Sequence, residues 1–167
     1  MKKTLAILLV VMLSVSALYA GLGDSYKGAS KKEALAVGIN LGTNNGVAVN
    51  YGLGKFDVEG ILGFGIINGT LDAEAAANYK ILDLAKELKI DGTMPLTVGF
   101  GGGLWAKFGQ PFQMGINALV PVKVSYTFED FPVNLYIRVA PGLGIQLVDS
   151  VKLSFAIQGS LGATYNF

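Results

Sequence analysis

The last fifteen residues alternate. Leu153, Phe155, Ile157, Gly159, Leu161, Ala163, Tyr165 and Phe167 share one parity; Ser154, Ala156, Gln158, Ser160, Gly162, Thr164 and Asn166 share the other. Successive side chains of a strand point to opposite faces, so period two over this length predicts a β-strand with one apolar face. It is longer than a strand of an average globular sheet. The split recurs upstream. Val133, Leu135, Ile137 and Val139 oppose Asn134, Tyr136, Arg138 and Ala140. Ile116 to Val124 oppose Asn117 to Ser125, with Pro121 and Lys123 on the second face. Leu96, Val98, Phe100, Gly102 and Leu104 oppose Thr97, Gly99, Gly101, Gly103 and Trp105. Phe56 to Ile66 oppose Asp57 to Ile67, Val47 to Leu53 oppose Ala48 to Gly54, and Leu35 to Leu41 oppose Ala34 to Asn40.

Turn residues separate these runs: Thr43-Asn44-Asn45-Gly46, Gly54-Lys55, Gly109-Gln110-Pro111, Glu129-Asp130 and Val148-Asp149-Ser150. Connections this short predict hairpin-linked neighbours. Leu71 to Ile90 is rich in Ala, Leu, Lys and Glu and suits a helix by propensity. Yet Ala75, Ala77, Tyr79 and Ile81 alternate with Ala76, Asn78, Lys80 and Leu82, which predicts a strand near Ala75 to Leu84 and a helical turn from Ala85 to Leu88. The expected fold is all-β, an eight-stranded antiparallel up-and-down transmembrane β-barrel over residues 33–167, with both ends of the chain on one side.

Side-chain size decides which face looks inward. The polar parities carry Gly, Ala, Ser, Thr and Asn, with few long charged residues. A water-facing surface is expected to carry about a quarter or more charged side chains, whereas the interior of an eight-stranded barrel is just wide enough to be filled by side chains. Gly63, Gly65, Gly99, Gly101 and Gly103 are therefore expected to keep an interior wall thin, and the apolar parities to face lipid. Kinks or bulges in a soluble sheet are the alternative role for these glycines. Gly101-Gly102-Gly103-Leu104-Trp105-Ala106 also fits the letters of a dinucleotide-binding turn. That turn must open a helix, and Gly109-Gln110-Pro111 leaves no room for one.

Composition supports the same picture. The 167 residues are 51% hydrophobic and only 15% charged, and beyond residue 20 no apolar run approaches the ~18 residues of a spanning helix. The net charge of +1 offers no basic patch for nucleic acid. With no Cys there is no disulfide, thiol nucleophile or lipid-anchoring N-terminal cysteine, and with no His the commonest general base and metal ligand are missing. Asp57 and Glu59 share a face and Asp72 and Glu74 lie close, but no catalytic grouping stands out, so no enzyme activity and no cofactor or metal are expected. Asn68-Gly69-Thr70 reads as a loop.

Residues 1–20 have Lys2 and Lys3, an apolar stretch from Leu5 to Val15 and a small-residue end. This is the layout of a cleaved signal peptide, cut after Ala20 or, with Val15 at the third position before the cut, after Ala17. An uncleaved anchor helix would need a longer apolar stretch. Residues 21–32, "GLGDSYKGASKK", read as a flexible leader.

At the C-terminus, Ser160-x-Gly162-x-x-Tyr165-x-Phe167 resembles the terminal signature of bacterial outer-membrane β-barrels. Val120 to Ile145 is similar to a widespread, poorly characterised group of small proteins of that kind, and the likeness extends less distinctly back to about Gly99. The resemblance implies an architecture like the OmpA transmembrane domain and OmpX, a location in the cell outer membrane, contact with its lipid, and the barrel-assembly machinery as a partner in biogenesis. It implies no catalytic residues. A monomer with a structural or envelope role and no open pore is expected. The alternative is a soluble periplasmic β-barrel holding a lipid or other apolar ligand inside. The short segments at 43–46, 109–114 and 148–150 argue against an adhesin.

Charges on the inward parity are Asp57, Glu59, Lys80, Lys107, Lys123 and Arg138. A lone charge in a confined interior is costly, so these are expected to pair. The expectation is an ion-pair plug centred on Glu59 and Arg138, with Lys123 or Asp57 nearby; residues near strand ends would instead sit hydrated at the rims.

Overall fold

The computed structural model describes residues 35–65, 69–128, 130–147 and 151–167. The expected signal peptide and leader, Asn68, Glu129 and Val148-Asp149-Ser150 lie outside the described residues. Nine strands form: β1 (Leu35–Gly42), β2 (Asn45–Leu53), β3 (Phe56–Gly65), β4 (Thr70–Asp83), β5 (Pro95–Lys107), β6 (Gln113–Leu119), β7 (Val122–Thr127), β8 (Val133–Gln146) and β9 (Lys152–Asn166). A short helix, α1 (Leu84–Leu88), follows β4.

All pairings are antiparallel. Neighbours pair from β1 through β6, β6 pairs β8, β8 pairs β9, and β9 returns to β1, which closes a ring of eight strands. The ninth strand is a continuation. β6 and β7 lie end to end between β5 and β8, so the run expected as one strand is split in two. The split falls at Val120 and Pro121, because proline has no N–H to give the ladder. Pairing survives across it: Val120 N–H donates to the Pro141 carbonyl at 2.8 Å, and Gly99 N–H to the Pro121 carbonyl at 2.8 Å.

Leu71 to Asp83 adopts the alternating reading, not the helical one. Ala and Lys are poor strand formers alone, but here pairing on both edges, to β3 and β5, overrides local preference. One part of the expected parity fails. A bulge between Lys80 and Leu82 inserts one residue, so Leu82 is exposed with Ile81 instead of sharing the face of Lys80. The helical turn forms as expected. Leu84 N–H donates to the Met94 carbonyl, Met94 N–H to Asp83 Oδ1, and Lys80 Nζ to Asp83 Oδ2, at 2.8, 2.8 and 2.9 Å. These bonds fold residues 84–94 back on β5.

The apolar parities are on the outside. Thirty-six large apolar side chains are exposed among the described residues, while the buried apolar cluster has only three members, Ala48, Ile61 and Tyr136. Most of the buried side chains are polar or charged, including Asn40, Asn50, Glu59, Asn78, Lys123, Arg138 and Thr164. The ring therefore has an inverted partition: polar inside, apolar outside.

Because strands alternate in direction, the starts of β1 and β3 and the end of β9 share one end of the ring, here the terminal end. The connections β1–β2, β3–β4, β5–β6 and β8–β9 share the far end. Aromatic pairs sit toward both. Phe56 and Tyr79, Tyr126 and Phe128, and Tyr165 and Phe167 lie toward the terminal end, with ring centroids 5.0, 4.8 and 4.8 Å apart. Phe108 and Phe112 pair at the far end, at 5.9 Å.

Candidate functional site: a charged interior

The inward parities of β3, β4, β7 and β8 meet inside the ring. Lys123 and Arg138 are register partners on β7 and β8, so two cations lie side by side on one wall. Asp57 and Glu59 on β3, with Glu74 on β4, bring carboxylates from the other wall. Lys123 Nζ reaches Glu59 Oε2 at 3.0 Å, Asp57 Oδ1 at 3.3 Å and the amide oxygen of Asn50 at 2.9 Å. Arg138 Nη2 reaches Glu74 Oε2 at 2.9 Å, and its Nε lies 3.7 Å from Glu59 Oε1. Glu59 thus stands between both cations. Asn78 completes the layer, donating to Asp57 at 2.7 Å and to Glu59 at 3.1 Å.

Alternating anions and cations offset the repulsion within each wall, and hydrogen bonds satisfy part of the desolvated polar groups, while Glu59 Oε1 and Arg138 Nε face each other with no hydrogen bond among the described residues. Glu59 is 1% exposed and Arg138 3%, so neither charge is hydrated in place of its partners.

A neutral chain of contacts leads from this layer toward the far end. Tyr136 donates its hydroxyl to Asn40 Oδ1 at 2.7 Å, Asn40 Nδ2 donates to the Asn44 carbonyl at 2.6 Å, and Asn44 Nδ2 donates to Glu74 Oε1. The Tyr136 ring lies over Gly162, where an added Cβ would run into ring carbon and hydroxyl. Tyr136→Phe keeps that packing but strands the Asn40 acceptor. The expected cost is about 1–2 kcal/mol of unfolding free energy, measured by urea titration in detergent.

The glycines of β5 make room for the anionic wall. β5 lies between β4 and the β6–β7 line. A Cβ on Gly103 would come 3.0 Å from Glu74 Cγ, one on Gly101 2.6 Å from Ala76 Cβ, and one on Gly99 would meet the Asn78 side chain.

Of the residues expected to pair, Asp57, Glu59, Lys123 and Arg138 come together. Lys80 and Lys107 do not join them. Lys80 pairs with Asp83 at 2.9 Å near the terminal rim, and Lys107 is exposed near the far rim with no ion pair among the described residues. Alternation assigns a face but not a depth, and both lie near strand ends. Glu74 was missed as a pairing residue, although carrying the Ala76 and Asn78 parity back one step reaches it. In the C-terminal signature, Ser160 is buried, Gly162 backs Tyr136, and Tyr165 and Phe167 form the ring pair described above.

Among the described residues no group of acidic side chains is arranged to hold a metal ion, and no helix is long and apolar enough to cross a membrane. The fold and interior define an antiparallel all-β protein whose ring of strands encloses a charged network. Comparison with protein-family models, with curated proteins and with solved structures finds no match.

Proposed function

We propose that this chain is a small integral β-barrel of the bacterial outer membrane, with a structural role in the envelope and no open pore. The observation that carries the reading is the inverted partition of side chains. A monomeric soluble protein rarely exposes contiguous apolar patches beyond a few hundred Å². Here Phe100, Leu104, Ile137, Leu153, Phe155 and Ile157, from three strands, are all more than 60% exposed. Lipid tails would cover them. The longer strands, with 13 to 15 residues in β5, β8 and β9 and 14 in β4, exceed the ~9–11 needed to cross a bilayer at a tilt. Aromatic pairs toward both ends suit the two membrane interfaces. The C-terminal signature supports delivery by the barrel-assembly machinery.

The interior supports the reading of no open pore. Eight strands leave room mainly for side chains, and the Lys123–Glu59–Arg138–Glu74 contacts bridge the walls. A soluble carrier of an apolar ligand would need an apolar interior, and the buried side chains here are mostly polar.

The full chain is expected in the detergent-extracted membrane fraction and to migrate differently on a denaturing gel before and after boiling. Purified protein is expected to leave planar-bilayer conductance at the lipid baseline. Recovery in osmotic-shock fluid without detergent would refute the membrane reading; steady ohmic conductance would refute the closed interior alone.

A further inference from the structure

At the far end, a cavity of about 420 Å³ opens above the charged layer, bordered by Asn44, Asp72, Trp105, Lys107, Asn117 and Gln158. Two charged side chains border it, Asp72, which is buried, and Lys107, which is exposed at the rim. The buried or partly buried interior carboxylates are four, Asp57, Glu59, Asp72 and Glu74, against two cations, Lys123 and Arg138. The first, second and fourth carboxylates share those cations. Asp72 forms no ion pair among the described residues, although it is only 6% exposed; its one hydrogen bond comes from Thr70 Oγ1 at 2.7 Å. A buried carboxylate without a counter-charge is costly.

A second acceptor borders the same cavity. Gln158 is 7% exposed and hydrogen-bonds Glu74. A carboxylate only accepts, so the amide nitrogen faces Glu74 and Oε1 is left over. That oxygen has no hydrogen-bond partner among the described residues. An unpaired carboxylate and an unpaired amide oxygen complement a group with several N–H donors and a positive charge. Trp105 is the register partner of Asp72 on β5, which adds an indole able to attract a cation.

We infer that this cavity binds a small organic molecule through a primary ammonium group, with Asp72 as its counter-ion, Gln158 Oε1 as a second acceptor and Trp105 as a wall. The volume falls within the range of small-molecule sites. One carboxylate beside an indole is a poor set for calcium, which takes six to eight oxygens. Lys107, exposed at the rim, repels a dication twice as strongly as an ammonium, which must pass it to reach the deeper Asp72. Asp72, Trp105 and Gln158 lie on the inward parities of β4, β5 and β9.

Trp105 is the only tryptophan of the chain, so its emission reports on the cavity. Full-length protein in detergent micelles, titrated with n-propylammonium chloride, is expected to show a saturable emission change that sodium chloride at equal ionic strength does not produce. Asp72→Asn is expected to weaken binding about tenfold or more, the loss of one charge-assisted contact, and Gln158→Leu to weaken it several-fold. The inference is overturned by a wild-type titration without saturation, by unchanged affinity in folded Asp72→Asn, or by tetramethylammonium or calcium binding as tightly as propylammonium. If Asp72→Asn does not fold, Gln158→Leu decides: wild-type affinity there overturns the assignment, and weakened affinity supports it.

Discussion

Replacing Arg138 by methionine is expected to lower the unfolding free energy by about 3–5 kcal/mol, the usual cost of removing one partner from a buried ionic contact. Arg138 is 3% exposed and serves two carboxylates, Glu74 at 2.9 Å and Glu59 at 3.7 Å. Without it, Glu74 keeps only amide donors, from Asn44 and Gln158. Glu59 keeps Lys123 and Asn78. The loss should appear as a lower urea midpoint in detergent, with heat-dependent gel migration retained at low urea. The double variant Arg138→Met/Glu74→Gln removes a negative charge with the positive one and should recover part of the loss. Recovery is the diagnostic. A double variant as weak as the sum of the two singles would mean that packing of the guanidinium, not its charge, accounts for the effect. An unchanged midpoint in Arg138→Met would remove the network from the account of stability.

Gly101→Val is expected to destabilise by about 1–3 kcal/mol, and here the sign carries the argument. Valine suits strands and glycine weakens them. Propensity alone therefore predicts that the substitution stabilises. The structure predicts the opposite, because a Cβ at Gly101 would lie 2.5 Å from the Ala75 carbonyl oxygen and 2.6 Å from Ala76 Cβ. The first contact is backbone, so β4 itself would have to move, and Glu74 and Asn78 flank Ala76 on the same face. Gly159→Val is the control. No atom of the described residues lies within 4 Å of an added Cβ there, so propensity should prevail and stability should hold or rise. Comparing the two urea midpoints checks both at once. Equal effects at the two sites would show that close approach of β4 to β5 is not what keeps residue 101 a glycine.

Parity was legible wherever a strand ran unbroken. β9 reads directly from Leu153 to Phe167; alternation puts Asn40, Asn50, Glu59, Lys123 and Arg138 on the faces rich in small residues, and side-chain size turns those faces inward. Three things escaped it. The bulge at Lys80 moved Leu82 out, because one extra residue in a ladder reverses all later parity until it is absorbed. Pro121 split a run whose side-chain pattern gives no sign of a break. Glu74 and Asp72 were hidden in a stretch whose composition favours a helix, where β4 forms because β3 and β5 both pair with it.

The order of apolar and small polar residues by itself determined the strands and the two faces of each, since a strand's side-chain period is a local property of its backbone. Which charges meet was decided only by the closed ring. Lys123 and Glu59 are 64 residues apart, as are Arg138 and Glu74. Their distances depend on the order of strands around the ring and on the stagger between neighbours. Both are set by non-local pairing, and no short window of sequence contains them.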